Sequence, residues 1–482
     1  MGDFASCLPF QADIHLLRFP LPRFAVSSVA LVLVAGCAQV DMPALPQLLP
    51  AQWAHKPVAP ATQQDLPAVD LTIWWKGFGD SELDALVERA LTSNMSLQQA
   101  HSRLLAARAL AGNVGKSYLP QLGFNAAGTE DAAAIDAYYQ LSLNATWKLG
   151  LFGDLEGAQR QAAASVERAV ASEQEARVTL IAEIVRNYLE LRAAQQQIAN
   201  AEELRTLDQR TQELTEVRIQ TRLAGPEQRL QLQARLARTQ AAMILPRQAE
   251  ARALHALAAL TGQTQPDPAW LQARAMPALQ TGAITQVPSD LLRSRPDMRI
   301  AEAEVLQAVG ELGIAKSALY PRLAIGATYL YSYNLTQNRR WTHNGVPSIG
   351  PLIDLPLFDW GQRKAIANAR QHEVDASLAA YRQVLLDSVA QVETGMSLLT
   401  LAQQRVQHLR TALAASEASV EKDRSLLRLG LSSEWNSLEY KHDVLQARQS
   451  LTAAEADYGI AYATLFRALG GAPLPTANEP KS

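Results

Sequence analysis

Few residues in this chain have the type and spacing that chemistry needs, and the first is a cysteine. Val34-Ala35-Gly36-Cys37 closes an apolar run over residues 24–35 that follows Arg18 and Arg23. A basic flank, a short apolar stretch and small residues before the cut mark a secretory signal. With cysteine at the cut, the pattern resembles a bacterial lipobox, in which the thiol takes a diacylglycerol and becomes the mature N-terminus. An ordinary secretory signal with an incidental cysteine is the plainer alternative. Ala38, not aspartate, follows Cys37, which resembles the sorting pattern of outer-membrane lipoproteins. The stretch before the apolar run is long for a signal and carries Asp3 and Asp13, so the true start is expected downstream of Met1.

Enzymatic chemistry has nothing to work with. Gly112-Asn113-Val114-Gly115-Lys116-Ser117 looks like the end of a phosphate-binding loop, but Leu110 occupies the place of its first glycine. The segment also ends a helix and precedes a strand, the reverse of the order such a loop requires. The 8 histidines are scattered without metal spacing. No serine sits in a G-x-S-x-G turn. With only 2 cysteines, Cys7 and Cys37, cysteine zinc sites and disulfide scaffolds are excluded. No catalytic residue, metal or cofactor is expected.

Composition says which elements carry the chain. It has 482 residues, 48% of them hydrophobic and 19% charged, which excludes intrinsic disorder. The net charge of −3 gives no sign of a nucleic-acid binder. Ala, Leu, Gln and Arg dominate long stretches, the composition of long helices. After residue 36 no run of about 20 apolar residues remains, so no mature transmembrane helix is expected. Residues 1–36 read as signal peptide. Residues 37–70, with Pro43, Pro46, Pro50, Pro57, Pro60 and Pro67, read as an extended tether.

The rest of the chain is written twice. Gly115-Lys116-Ser117-Tyr118-Leu119-Pro120 is answered by Ala315-Lys316-Ser317-Ala318-Leu319-Tyr320-Pro321. Leu149-Gly150-Leu151-Phe152-Gly153-Asp154 is answered by Leu355-Pro356-Leu357-Phe358-Asp359-Trp360. Arg222-Leu223-Ala224-Gly225 is answered by Arg428-Leu429-Gly430, and Ala259-Leu260-Thr261-Gly262 by Ala468-Leu469-Gly470-Gly471. Four landmarks in the same order, each roughly 200 residues apart, divide the chain into repeats at 71–275 and 276–471, with a tail at 472–482.

Each repeat has one plan. A helix is expected at 81–117, capped by Asp80 or Ser81, and another at 290–319, capped by Ser289. Pro120 and Pro321 stop them. Strands follow near 118–150 and 320–358. In 138–147, Tyr139, Leu141, Leu143, Ala145 and Trp147 share one face and Gln140, Ser142, Asn144 and Thr146 the other. Leu323, Ile325, Ala327, Tyr329, Tyr331 and Tyr333 repeat the pattern in the second copy. This period of two, with aromatics near the ends, is that of a membrane-spanning strand. Two half-buried hairpins of a soluble domain would also produce it. The partner strands, 121–129 and 348–358, alternate less cleanly, and Pro351 and Pro356 weaken the second. Very long helices are expected over 155–223 and 361–429, each about 100 Å at 1.5 Å per residue. They turn at Gly225 and Gly430 and return through 227–260, kinked at Pro246, and 432–470. A closed membrane barrel needs about eight strands, so four per chain would have to be shared among chains.

With this layout, Trp74-Trp75-Lys76-Gly77-Phe78-Gly79-Asp80-Ser81-Glu82-Leu83, Arg295-Pro296-Asp297-Met298-Arg299, Gly313-Ile314-Ala315-Lys316-Ser317 and Pro356-Leu357-Phe358-Asp359-Trp360-Gly361-Gln362-Arg363 resemble the outer-membrane efflux protein (TolC) family, in its lipoprotein branch. The resemblance spans roughly residues 70–471. It implies a mainly α fold with a small β part: a homotrimer sharing a 12-stranded transmembrane β-barrel, with duplicated helical hairpins forming a periplasmic α-barrel. It implies a passive exit duct for drugs or other small toxic molecules, working with a periplasmic adaptor and an inner-membrane pump, of the RND type. It implies lipid on Cys37, adaptor-docking tips at Arg222, Leu223, Gly225, Arg428, Leu429 and Gly430, and a periplasmic gate at Trp435, Asn436 and Glu439. At the gate a ring of three Glu439 carboxylates would repel anions and a ring of Trp435 side chains would exclude water. Asn436 stands where other members carry a second acid. A soluble periplasmic coiled-coil scaffold is the main rival, and export of proteins rather than small molecules is the rival within the family.

Overall fold

The computed structural model describes residues 40–41, 43–44, 70–130, 137–279, 295–334 and 345–471. Cys37 and Ser289 lie outside them.

The first expected helix is two helices, α1 (Ser81–Ser93) and α2 (Met95–Val114), followed by a 3-10 turn at Gly115–Tyr118. Asp80, rather than Ser81, caps α1, its carboxylate accepting from the N–H groups of Glu82 and Leu83. The break at Asn94 is a tertiary effect. Asn94 accepts from Leu97 N–H while its amide donates to the Leu260 carbonyl, and Ser93 donates to the Thr261 carbonyl. These partners lie more than 160 residues away in sequence, so no local propensity announces the break.

Two antiparallel strands follow, β1 (Gln121–Glu130) and β2 (Ala137–Lys148). Helix α3 (Asp154–Gln220) runs for 67 residues, about 100 Å. The return is again two helices, α4 (Glu227–Ala242) and α5 (Ile244–Leu260). The ladder breaks at Met243 because Pro246 has no N–H for the carbonyl of Ala242, four residues earlier.

The second copy starts later than expected, with α6 at Pro296–Ser317, where Pro296 takes the first helical position. Then come β3 (Arg322–Asn334), β4 (Val346–Asp354), α7 (Gln362–Arg428, also 67 residues) and α8 (Glu434–Ala468). Pro351 lies inside β4, which is tolerated on an edge strand, and Pro356 falls beyond it.

The main core sits at mid-length, where α1, α3, α5 and α8 meet. Trp74, Phe78, Tyr188, Leu189, Leu257, Tyr462 and Phe466 are all buried there. Trp74 stacks on Phe466, and its indole N–H donates to the Gly471 carbonyl. Several polar groups in this core are paired. The Tyr188 hydroxyl donates to Asp80 at 2.7 Å, and the fully buried Arg192 reaches Glu82 at 2.6 Å. Below the strands α3 and α6 touch backbone to backbone. A Cβ on Gly157 would lie 2.8 Å from the Gly310 carbonyl oxygen, so only glycine permits that approach. Among the described residues no helix is long and apolar enough to cross a membrane.

Candidate functional site

The sheet is the first functional surface. Its order is β1-β2-β3-β4, all antiparallel, so β1 and β4 both have one unpaired edge within the chain. The register sets Leu143 between Phe124 and Tyr329, Ala145 between Leu122 and Ala327, and Ala327 opposite Ile349. One face therefore carries Leu122, Phe124, Leu141, Leu143, Trp147, Ile325, Tyr329, Ile349 and Ile353. The other carries Gln121, Asn125, Gln140, Ser142, Asn144, Thr328 and Ser348. The apolar face is open to the surroundings: Leu122 is 71% exposed, Phe124 70% and Ile349 81%. Among the described residues no helix covers it. Water would oppose such a surface at about 25 cal/mol per Å², whereas lipid accepts it. Among the two readings of the alternating strands, this uncovered apolar face favours the membrane.

The second surface is the seat of Val40. Val40, three residues after Cys37, accepts a 2.8 Å hydrogen bond from Arg160 Nη1. Its side chain packs on the cluster of Val305, Val309, Leu312 and Val374. Arg160 is six residues into α3, roughly 10 Å from the strand-bearing end.

The tips are the third. Both long helices end in a Schellman turn, with the last N–H reaching back five residues: Leu223 to the Arg218 carbonyl at 2.7 Å, and Leu431 to the Leu426 carbonyl at 2.9 Å. The left-handed residue is Gly430 (φ 70°) in the second tip but Arg222 (φ 57°) in the first. Gly225 does not take a positive φ, which corrects its expected role as the reversing glycine. The short motifs were aligned glycine to glycine, whereas turn geometry aligns Arg222 with Gly430. Leu223, Leu429 and Leu431 are each more than 70% exposed at the ends of the hairpins. Arg428 is also exposed.

Just beyond the second tip, Ser433 caps α8 by accepting from Asn436 N–H. Asp423 accepts hydrogen bonds from Ser432 and Ser437, and these two hydroxyls hold its carboxyl below the usual range. Asn436 is exposed. Trp435 lies under the Arg218 guanidinium, 4.7 Å from ring centre to Cζ. Glu439 is not a bare carboxylate. Arg235 of α4 donates to its two oxygens at 3.0 and 3.2 Å. The same guanidinium contacts Asp208 of α3 at 2.7 Å. Asp208 is fully buried and accepts from Thr239 at 2.8 Å. His442, one turn beyond Glu439, is buried. Burial first and Arg235 second push its pKa down, against the opposing pull of Asp208, Glu439 and Asp443. A cleft of about 610 Å³ lies here, lined by residues of α3, α4 and α8, including Arg235, Trp435, Glu439 and His442.

The expected gate residues are therefore together on α8, with Trp435 and Glu439 tied to arginines of their own chain and Asn436 exposed. Arg235, Asp208, Thr239 and Arg218 were not anticipated. Nothing in the sequence marks them, because Arg235 and Glu439 are 204 positions apart and Arg235 stands among several arginines of α4. Among the described residues no cluster of His, Cys, Asp and Glu side chains could hold a metal ion.

Comparison with known proteins agrees with this geometry. The family model described as outer membrane efflux protein matches residues 86–263 and 287–471. Nodulation protein T of Rhizobium leguminosarum bv. viciae is 27% identical over 84% of this chain and 84% of its own length. The pyoverdine export outer membrane protein OpmQ of Pseudomonas aeruginosa is 26% identical over 92% of this chain and 95% of its own. The solved outer-membrane channel OprN superposes with a TM-score of 0.76 at 27% identity, covering 91% of this chain and all of that one. Two family matches, one on each side of residues 264–286, together span well over half the sequence, and the chain belongs to the outer membrane efflux protein family.

Proposed function

We propose that three copies of this chain assemble into one duct that crosses the outer membrane as a 12-stranded barrel and continues into the periplasm as a tube of helices. The observation that carries this reading is the four-stranded sheet with two unpaired edges and one uncovered apolar face. Lipid tolerates no unpaired edge, so β4 of one copy must meet β1 of the next. The duct acts passively and carries out no catalysis. It conducts drugs or other small toxic molecules that an inner-membrane pump, of the RND type, and a periplasmic adaptor deliver.

The roles of individual residues follow from position. Cys37 takes lipid and anchors the chain in the inner leaflet, a reading supported by the contact of Val40 with Arg160 near the start of α3. The exposed leucines of the tips, with Arg222 and Arg428, meet the adaptor's apolar helical ends. Trp435 and Glu439 form the narrowing beyond the second tip, with Arg235 holding Glu439 back from the lumen, while Asn436 contributes no charge. Single-channel recording in planar bilayers tests the duct directly. Stepwise currents from purified, membrane-extracted protein are expected, and their absence would leave the soluble scaffold as the better reading.

A further inference from the structure

The polar face of the sheet is almost free of charge. Among its described side chains only Lys148, Arg322 and Asp354 are charged, and all three lie at the end of the strands nearest the helices. Two of these compensate each other. Arg322 and Asp354 are direct cross-strand partners, and Asp354 also has Arg363 at 3.9 Å. Lys148 has no such neighbour: Ala324 stands opposite it on β3, its side chain is exposed, and it makes no ion pair in the described chain. The other charge expected to set the lumen's field, Glu439, lies far from the strands, beyond the second tip, and shares Arg235 with Asp208.

We propose that Lys148 forms a ring of three ammonium groups at the periplasmic end of the β-barrel and makes the duct prefer anionic cargo. The inference rests on the trimeric duct reading above. Its size follows from geometry. Twelve strands about 4.8 Å apart and tilted by about 40° give a backbone diameter of roughly 24 Å. A lysine side chain about 6 Å long then brings each ammonium to roughly 6 Å from the axis. Coulomb's law in water, screened over about 10 Å at 0.1 M salt, makes an anion on the axis roughly sevenfold enriched. At 1 M salt, where screening acts over about 3 Å, the enrichment falls below about twofold. The field reaches the whole cross-section at low salt and contracts to the wall at high salt.

The test is the reversal potential of purified protein in planar bilayers under a KCl gradient, centred near 0.1 M and again near 1 M. The wild type is expected to favour chloride several-fold at low salt and to approach neutrality at high salt. Lys148→Gln is expected to abolish most of the preference, and Lys148→Glu to reverse it. Lys148 makes no ion pair, so neither change disturbs packing, and the single-channel step size serves as the control for intact assembly. Unchanged reversal potentials in both variants, with steps still present, would overturn the lysine ring while leaving the duct intact. A wild type that produces no steps at all would overturn the duct and the ring with it.

Discussion

Removing Arg235 should weaken the contact between α4 and α8 far more than removing its partner Glu439. The reason is the order of burial along the chain of charges. Asp208 is fully buried, the Arg235 side chain is 23% exposed and that of Glu439 is 35% exposed. In Glu439→Ala, Arg235 keeps Asp208 and can turn toward water, so the loss is that of a half-exposed pair, about 1 kcal/mol. In Arg235→Ala, Asp208 keeps only the Thr239 hydroxyl, and an uncompensated buried carboxylate costs about 3 kcal/mol or more. Separation of α8 from α4 would then become roughly 5-fold more frequent in the first variant and over about 100-fold in the second. Hydrogen exchange of the amides in residues 228–242 and 434–445 reads this equilibrium locally. Adding Asp208→Asn to Arg235→Ala should recover at least about 1 kcal/mol, because a neutral amide is cheaper to bury. Equal protection losses in the two single variants, or no recovery in the double variant, would refute the charge chain as the element joining the hairpins.

Further outcomes follow from the tips, the lipid end and the buried histidine. Arg222→Gly should stabilise the first tip by about 0.5–1 kcal/mol because it relieves a left-handed side chain, while Gly430→Ala should destabilise the second by a similar amount; thermal melting checks both. Gly225→Ala should be nearly neutral in the same assay. Cys37→Ser should remove the lipid mass and lower retention in the outer-membrane fraction, and unaffected lipidation and retention would contradict the lipobox. His442 has a pKa held below the free value of 6.5, so the unfolded chain binds the extra proton first. Stability should therefore be flat above about pH 7 and fall as the pH drops through 6.5 toward the lowered value, a slope that His442→Gln should flatten.

How much of this was legible in sequence depends on how local each cause is. The strand faces were readable because a period of two is a local signal, and the register joined four such patterns into one apolar surface. The long helices were readable from the absence of proline over nearly seventy residues. The break ahead of Pro246 in the first return helix was readable from the ring that causes it, but the break at Asn94 was not, because carbonyls at Leu260 and Thr261 make it. The first tip misled for a different reason. A glycine in a matching motif suggested the reversing residue, but chain geometry gives that place to an arginine. Glu439 was singled out through the resemblance, by its distance from the tip, yet its partner Arg235 was not, since only the folding of one repeat against the other brings them together.

The central claim is that several chains complete one barrel, and native mass in mild detergent tests it most directly. Protein extracted from membranes should appear as three copies carrying three lipids. An unlipidated monomer would mean that the open edges of β1 and β4 do not meet a neighbour, and would contradict the shared duct.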